Sequence, residues 1–175
     1  MESRRRVPFL PDAYVSGVAR IGLEELWESG IRGIVVDLDN TLVAYRESAV
    51  APEVAGWVRA ARARGFGVVL VSNNWSERVA AVGSHLDVPT VPSAMKPLPA
   101  AFFRALEVLG TPRAATVAIG DQLLTDVLGA KLLGMRAILT EPLSEHGFIT
   151  TRAMRVVERA VLRLAGLRPL RGAPP

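Results

Sequence analysis

The 175-residue chain contains no cysteine, only two histidines and only two lysines. Without thiols there is no disulfide framework, no thiol nucleophile and no zinc site built on thiolates, and the composition suits a reducing cytoplasm. His85 and His146 are too few to suggest a histidine-based metal centre. Long apolar runs are missing too: no stretch approaches the roughly 18 residues that a membrane span requires. The apolar segment after Arg4, Arg5 and Arg6 is interrupted by Pro8, Pro11 and Asp12, so it lacks the core of a signal peptide. These absences lead to an expectation of a soluble, cytoplasmic protein.

At 50% hydrophobic residues, the chain is long enough for one full core, and its length favours a single domain over residues 1–175. The net charge of +4 is unevenly spread. Residues 1–6 carry +2, residues 151–175 carry +5, and the body between them carries −3. The basic character therefore sits at the two ends of a mildly acidic globule.

Short apolar runs alternate with helical periods. Residues 31–37, 65–72, 115–121 and 135–140 are rich in Val, Ile and Leu and read as strands buried on both faces, with 87–91 a shorter candidate. Between them, helices are expected over 53–64, 77–86 with a cap at Ser76, 97–109 and 125–133, with a leading helix near 16–29 and a closing one near 151–165. Strict alternation predicts an α/β fold, a doubly wound parallel sheet with its core over about 30–140. No internal repeat is present.

In such sheets the ligand crevice lies beyond the carboxyl ends of the strands. Polar residues that look misplaced one by one gather at those ends: Asp37 and Asp39 after the first run, Ser72 with Asn73 and Asn74 after the second, and Asp121 with Asp126 after the fourth. Lys96 precedes the helix that follows the third. An aspartate at a strand end can act as a nucleophile, dividing one hard transfer into two easier ones through an acyl phosphate, and Asp37 fits that role. Strand periodicity turns Asp39 to the same side as Asp37.

The segments "DLDNT", "VSNN", "KP" and "GDQLLTD" resemble, in this order, the four motifs of the haloacid dehalogenase-like (HAD) phosphohydrolase superfamily. With "LPDAYV" (10–15), their wording resembles the YqeG-type branch, which includes phosphatidylglycerophosphate phosphatases. The resemblance implies a Rossmann-like core, a phosphomonoesterase activity and Asp39 as the residue that protonates the leaving alcohol and then activates water. It adds the backbone carbonyl of Asp39 as a metal ligand beside Asp37 and Asp121, with Asp126 either ligating or orienting. Thr41, Ser72 and Asn73 are the expected contacts of the transferring oxygens, and Arg46 is placed to meet a second phosphate or head group. Lys96 is informative because the chain uses arginine 19 times and lysine twice.

Charge supports a metal independently. Three ionised aspartates face an incoming phosphate, each like-charge pair near 4 Å costs about 4 kcal/mol at an effective dielectric of 20, and Lys96 supplies a single positive charge. A hard cation with oxygen ligands, Mg²⁺, balances the remainder.

Each motif also has an ordinary reading, since Asp, Asn, Ser and Gly favour turns wherever strands end. Receiver domains share a similar set of residues, but they carry adjacent acids after the first strand, whereas this chain has D-x-D there and D-x4-D after the fourth. A phosphatase of soluble metabolites or macromolecules and a non-catalytic Mg²⁺ and phosphate-binding module are the other readings. Asp37 and Ser72 are 35 positions apart, and Ser72 and Lys96 are 24 apart. One helix fills each gap, so no cap domain is expected and the site should be open to a large or surface-borne phosphate.

In the closing helix, Arg152, Arg155, Arg159 and Arg163 form one stripe and Val157, Ala160, Val161 and Leu164 another, the pattern of a helix that lies on an anionic membrane or packs on the sheet with arginine outward. Peripheral contact with the inner face of the membrane is the matching expectation. No nucleic-acid motif is present, and nucleic acid is not an expected partner. Trp27 and Trp57 read as core, His85 as structural and Lys131 as solvated, while Tyr45, Trp75 and His146 are placed to approach a substrate.

Overall fold

Every neighbouring pair of strands in the computed structural model is parallel. The structure describes residues 9–74, 77–144, 158 and 160–169. Its strands are β1 (Ala13–Val15), β2 (Gly33–Val36), β3 (Gly67–Val71), β4 (Thr90–Val91), β5 (Thr116–Gly120) and β6 (Arg136–Thr140), in the order β1-β6-β5-β2-β3-β4. The helices are α1 (Leu23–Glu28), α2 (Pro52–Arg64), α3 (Glu77–Leu86), α4 (Pro99–Leu109) and α5 (Leu128–Leu132). This is the Rossmann-like, doubly wound sheet expected from the alternating pattern.

The central strands are continuous apolar runs because both of their faces are covered. Ile34 and Val36 of β2, with Leu70 and Ile119, pack against Val58, Val79 and Val82 on one side of the sheet. Val35, Val69 and Ala118 face the other side, towards Phe102, Ala105 and Ala130. Helix α2 begins with Pro52 in its first turn and ends at Gly65, whose φ of 105° is left-handed and allows the chain to turn back at once into β3. Trp57 is core, as expected, and its Nε1 donates to the Ile21 carbonyl at 2.8 Å. Trp27 packs edge-on to Phe66, with ring centroids 5.2 Å apart.

From β2 the chain winds to β3 and β4, then crosses to β5 on the opposite side of β2 and continues to β6. The switch point therefore lies at the carboxyl ends of β2 and β5, which opens a crevice there. Only α2 lies between β2 and β3, and only α3 between β3 and β4, so the described residues contain no cap domain over the crevice.

Several local expectations are revised. Strand β1 was not foreseen, because three edge residues carry no usable period. The leading helix is shorter than 16–29, since a 3₁₀ turn at Val18–Arg20 precedes α1. The helix expected over 125–133 is a wide π turn at Leu123–Val127 that runs into α5. His85 is exposed on α3 instead of structural. Residues 158 and 160–164 are helical and include Arg163, but Arg152, Arg155 and Arg159 lie outside the described residues, as do Trp75, Ser76 and His146.

Lys131 is not simply solvated. Its Nζ donates to Asp12 Oδ2 at 2.5 Å, and the same oxygen accepts the Ala137 N–H at 2.8 Å. Asp12 thus fastens the start of β1 to β6 and α5. Replacing Asp12 with Ala should lower stability by about 1–2 kcal/mol, because it leaves a buried N–H without that acceptor and frees a lysine. A thermal melt compared with the parent measures this.

Candidate active site

A cleft of about 160 Å³ opens at the switch point, lined by Asp37, Asp39, Asn40, Tyr45, Ser72, Asn73, Asn74, Lys96, Gln122 and Thr125. Asp37 directly follows β2, Ser72 follows β3 and Asp121 follows β5, so three parallel strands deliver polar groups to one edge. Asp37, Ser72, Lys96, Asp121 and Asp126 are all buried.

Lys96 organises one wall. Its Nζ donates to Asp37 Oδ1 at 2.5 Å, Asp126 Oδ1 at 2.6 Å and the Val71 carbonyl at 3.0 Å. The backbone of Lys96 is clamped in turn by Asn73, whose Nδ2 donates to the Lys96 carbonyl at 3.1 Å and whose Oδ1 accepts the Lys96 N–H at 2.6 Å. Asn73, expected to meet the substrate, therefore has its amide engaged in placing the lysine.

Asp126 arrives through the π turn. The N–H groups of Asp126 and Val127 both converge on the Gln122 carbonyl, at 3.1 and 3.3 Å, and this widening rotates Asp126 back over the end of β5. The turn needs Gly120, because a Cβ there would lie 2.2 Å from the Asp126 carboxyl carbon.

Burial raises the Asp37 pKa to about 7; the Lys96 charge opposes this, while the Asp126 and Asp39 carboxylates reinforce it. For Lys96, burial alone would lower the value, but the Asp126 and Asp37 carboxylates outweigh it and hold the lysine above its ordinary range. The ammonium therefore stays charged, a single cation beside a group of three buried carboxyl side chains.

Asp37, Asp121 and Asp126 each bring a carboxylate oxygen within 4.8 Å of the others, all three buried. A buried, oxygen-only donor set of three carboxyl groups fits a hard divalent cation. Asp126 Oδ2 accepts the Gln122 N–H at 3.2 Å and its Oδ1 accepts from Lys96, so both oxygens already serve other donors.

Asp39 belongs to a second cluster on the same cleft. Its Oδ2 accepts from Asn74 Nδ2 at 2.6 Å and its Oδ1 from Arg78 Nη2 at 2.5 Å. Strand β2 has ended at Val36, and Asn40 takes a φ of 64°, a left-handed conformation that asparagine tolerates. Asp37 and Asp39 therefore share the cleft while holding different partners.

Thr41 is buried, and its Oγ1 has no hydrogen-bond partner among the described residues, but it does not line the cleft. Ser72 Oγ accepts the Asn74 N–H at 3.1 Å. Arg46 is exposed, its guanidinium 5.4 Å from the ring centroid of Tyr45, and it too lies off the cleft wall. Arg78, Gln122 and Thr125 were not foreseen. Arg78 sits in the first turn of α3 with no motif around it, whereas Gln122 and Thr125 could have been found inside "GDQLLTD", between the two acids.

Carboxylates, a buried lysine and strand-end amides gathered at the switch point of an open parallel sheet define an α/β enzyme core suited to phosphate esters. A family model described as HAD-hydrolase-like matches residues 93–142. The chain is 41% identical over 155 residues to the probable phosphatase YqeG of Bacillus subtilis, covering 88% of this chain and 90% of that one. It is 28% identical to the chloroplastic/mitochondrial phosphatidylglycerophosphate phosphatase 1 of Arabidopsis thaliana, over 92% of this chain but only 50% of that longer protein. NagD from E. coli shares the fold, with a TM-score of 0.59, 14% identity, and coverage of 82% of this chain and 96% of that one. The chain belongs to the HAD-like hydrolase superfamily, within its YqeG phosphatase branch.

The raised Asp37 value has a consequence for stability. Between about pH 4 and pH 7 the folded protein holds a proton on Asp37 that the unfolded chain releases near its ordinary value of 3.8. Stability from this group is therefore present at low pH and is lost as pH rises through about 7. In chelator, Asp37→Asn should be more stable than the parent, with the gap widening across this window and then levelling. Melts of both proteins over a pH series would show it.

Proposed function

We propose that this chain is a Mg²⁺-dependent phosphomonoesterase that works through an aspartyl phosphate on Asp37, with phosphatidylglycerophosphate as its substrate. The observation that carries the reading is the division of one cleft into two carboxylate clusters. Asp37 is ordered by Lys96, and Asp39 stands on the same cleft with separate partners. An oxygen of Asp37 attacks phosphorus while the bond to the leaving oxygen breaks, and Asp39 gives that oxygen its proton. In the second half, Asp39 takes a proton from water as the new P–O bond forms and Asp37 is released. Lys96 holds the nucleophile and offsets charge on the transferring oxygens.

Carboxylate oxygens of Asp37 and Asp121 and the backbone carbonyl of Asp39 would hold the cation, with Asp126 orienting Lys96 and sharing an oxygen if it ligates. When bound, Mg²⁺ supplies charge stabilisation for the phosphoryl group. Ser72 and neighbouring backbone N–H groups are the proposed contacts of the transferring oxygens, and Thr41 reaches them only if its side chain turns.

The lipid assignment is supported by the similarity to named phosphatidylglycerophosphate phosphatases and by a cleft with no cap over it among the described residues. The basic chain ends suit an anionic surface. No helix among the described residues is long and apolar enough to cross a membrane, so the proposal is peripheral contact.

Asp37→Asn should abolish turnover in a folded protein. Asp39→Asn should still bind Mg²⁺, since its proposed ligand atom is the backbone carbonyl, yet lose roughly 10² to 10⁴ in rate. Calorimetric Mg²⁺ titration beside a phosphate-release assay separates these outcomes, and near-parental activity in Asp37→Asn would rule out the covalent route. Replacing Arg152, Arg155, Arg159 and Arg163 with Gln should slow hydrolysis of lipid phosphate on anionic vesicles, at about 1 kcal/mol for each arginine that reaches the surface. Hydrolysis of para-nitrophenyl phosphate should stay nearly unchanged. Equal loss on both substrates would mean the arginines serve the fold.

A further inference from the structure

Arg78 makes two contacts with different parts of the site. Its Nη2 donates to Asp39 Oδ1, and its Nη1 donates at 2.7 Å to the carbonyl of Glu47, in the segment that carries Tyr45 onto the cleft wall. The Arg78 and Asp39 side chains are 16% and 14% exposed, so the pair is largely screened from water. The other oxygen of Asp39 faces the Asn74 amide, which can present either its NH₂ or its carbonyl after a flip. A guanidinium has donors only and does not deprotonate in proteins. The two partners of Asp39 are therefore unequal: one adapts to a proton on the carboxyl group and the other cannot.

We propose that Arg78 is a positioning residue that reserves Oδ1 of Asp39 and so confines the transferred proton to Oδ2, while its bond to Glu47 holds the Tyr45 segment in register with that choice. The inference rests on Asp39 being the acid and base of the reaction. In the first step the Oδ2–H proton passes to the leaving alkoxide as the Asp37–phosphorus bond forms. In the second step Oδ2 takes a proton from water as that bond breaks. Throughout, Arg78 keeps Oδ1. Asn74 turns its carbonyl to the protonated carboxyl group and its NH₂ to the carboxylate.

The test uses leaving-group dependence, because para-nitrophenolate departs without a proton and an alkoxide does not. kcat/KM reports the steps up to phosphoenzyme formation, so it isolates the acid step. In Mg²⁺, Arg78→Gln should lower kcat/KM for alkyl phosphates by about tenfold or more and for para-nitrophenyl phosphate far less. The alkyl esters used are glycerol 3-phosphate and phosphatidylglycerophosphate in mixed micelles. Arg78→Lys, which keeps one charged donor but lacks the fork, should recover part of the alkyl activity and also serves if the Gln variant folds poorly. Asp39→Asn, measured alongside, should show the same leaving-group dependence more strongly. Equal loss on both ester types in the Arg78 variants, or no loss on either, overturns the role of Arg78 while a dependent Asp39→Asn leaves the acid assignment standing. An Asp39→Asn variant without leaving-group dependence removes the acid assignment itself, and the proposal with it.

Discussion

Lys96 sits with its ammonium between Asp37 and Asp126 at the buried end of the sheet, and the surrounding architecture is arranged to keep it there. Three buried carboxylates at this point would repel one another, and removing one partner from a buried pair typically costs about 3–5 kcal/mol. The fold meets this constraint with backbone devices. Asn73 grips the lysine's peptide group from β3, the π turn swings Asp126 back over β5, and Gly120 gives up its side chain so that the carboxylate fits. Each device comes from a different segment, and each bears on the same few ångströms.

The second cluster, around Asp39, is built on different physics. Asp37 is buried with a neighbouring carboxylate, and burial raises its pKa. Asp39 faces an arginine and an amide, with both oxygens occupied. Two aspartates separated by one residue thus occupy unlike environments. The separation is possible because β2 stops at Val36 and Asn40 adopts a left-handed turn.

The same economy shapes access. With a single helix in each of the two connections where a cap domain would be inserted, the described residues place no cap over the cleft. An open cleft lets the phosphate of a bulky molecule approach while the remainder of that molecule stays outside.

The sequence by itself determined the layered fold and the strand ends at which polar groups collect. Val- and Ile-rich runs alternating with helical periods leave few alternatives to a parallel sheet, and acids, amides and a rare lysine placed just past those runs must meet at one edge. Asp37, Ser72, Lys96, Asp121 and Asp126 were therefore legible before any coordinates. Tertiary structure alone decided who holds whom. Arg78 lies 39 positions from Asp39, and the pair exists only because the first turn of α3 meets the loop that follows β2. Lys131 and Asp12 are 119 positions apart, and Lys131 reads as a solvated charge until β1 pairs with β6. Asn73 holds the Lys96 backbone through its amide, a contact across 23 positions that its place after a strand does not reveal. Periodicity reports which face of an element is buried, a property of near neighbours in the chain. The partner of a polar side chain depends on elements remote in sequence, so its direction is known only once the sheet has assembled.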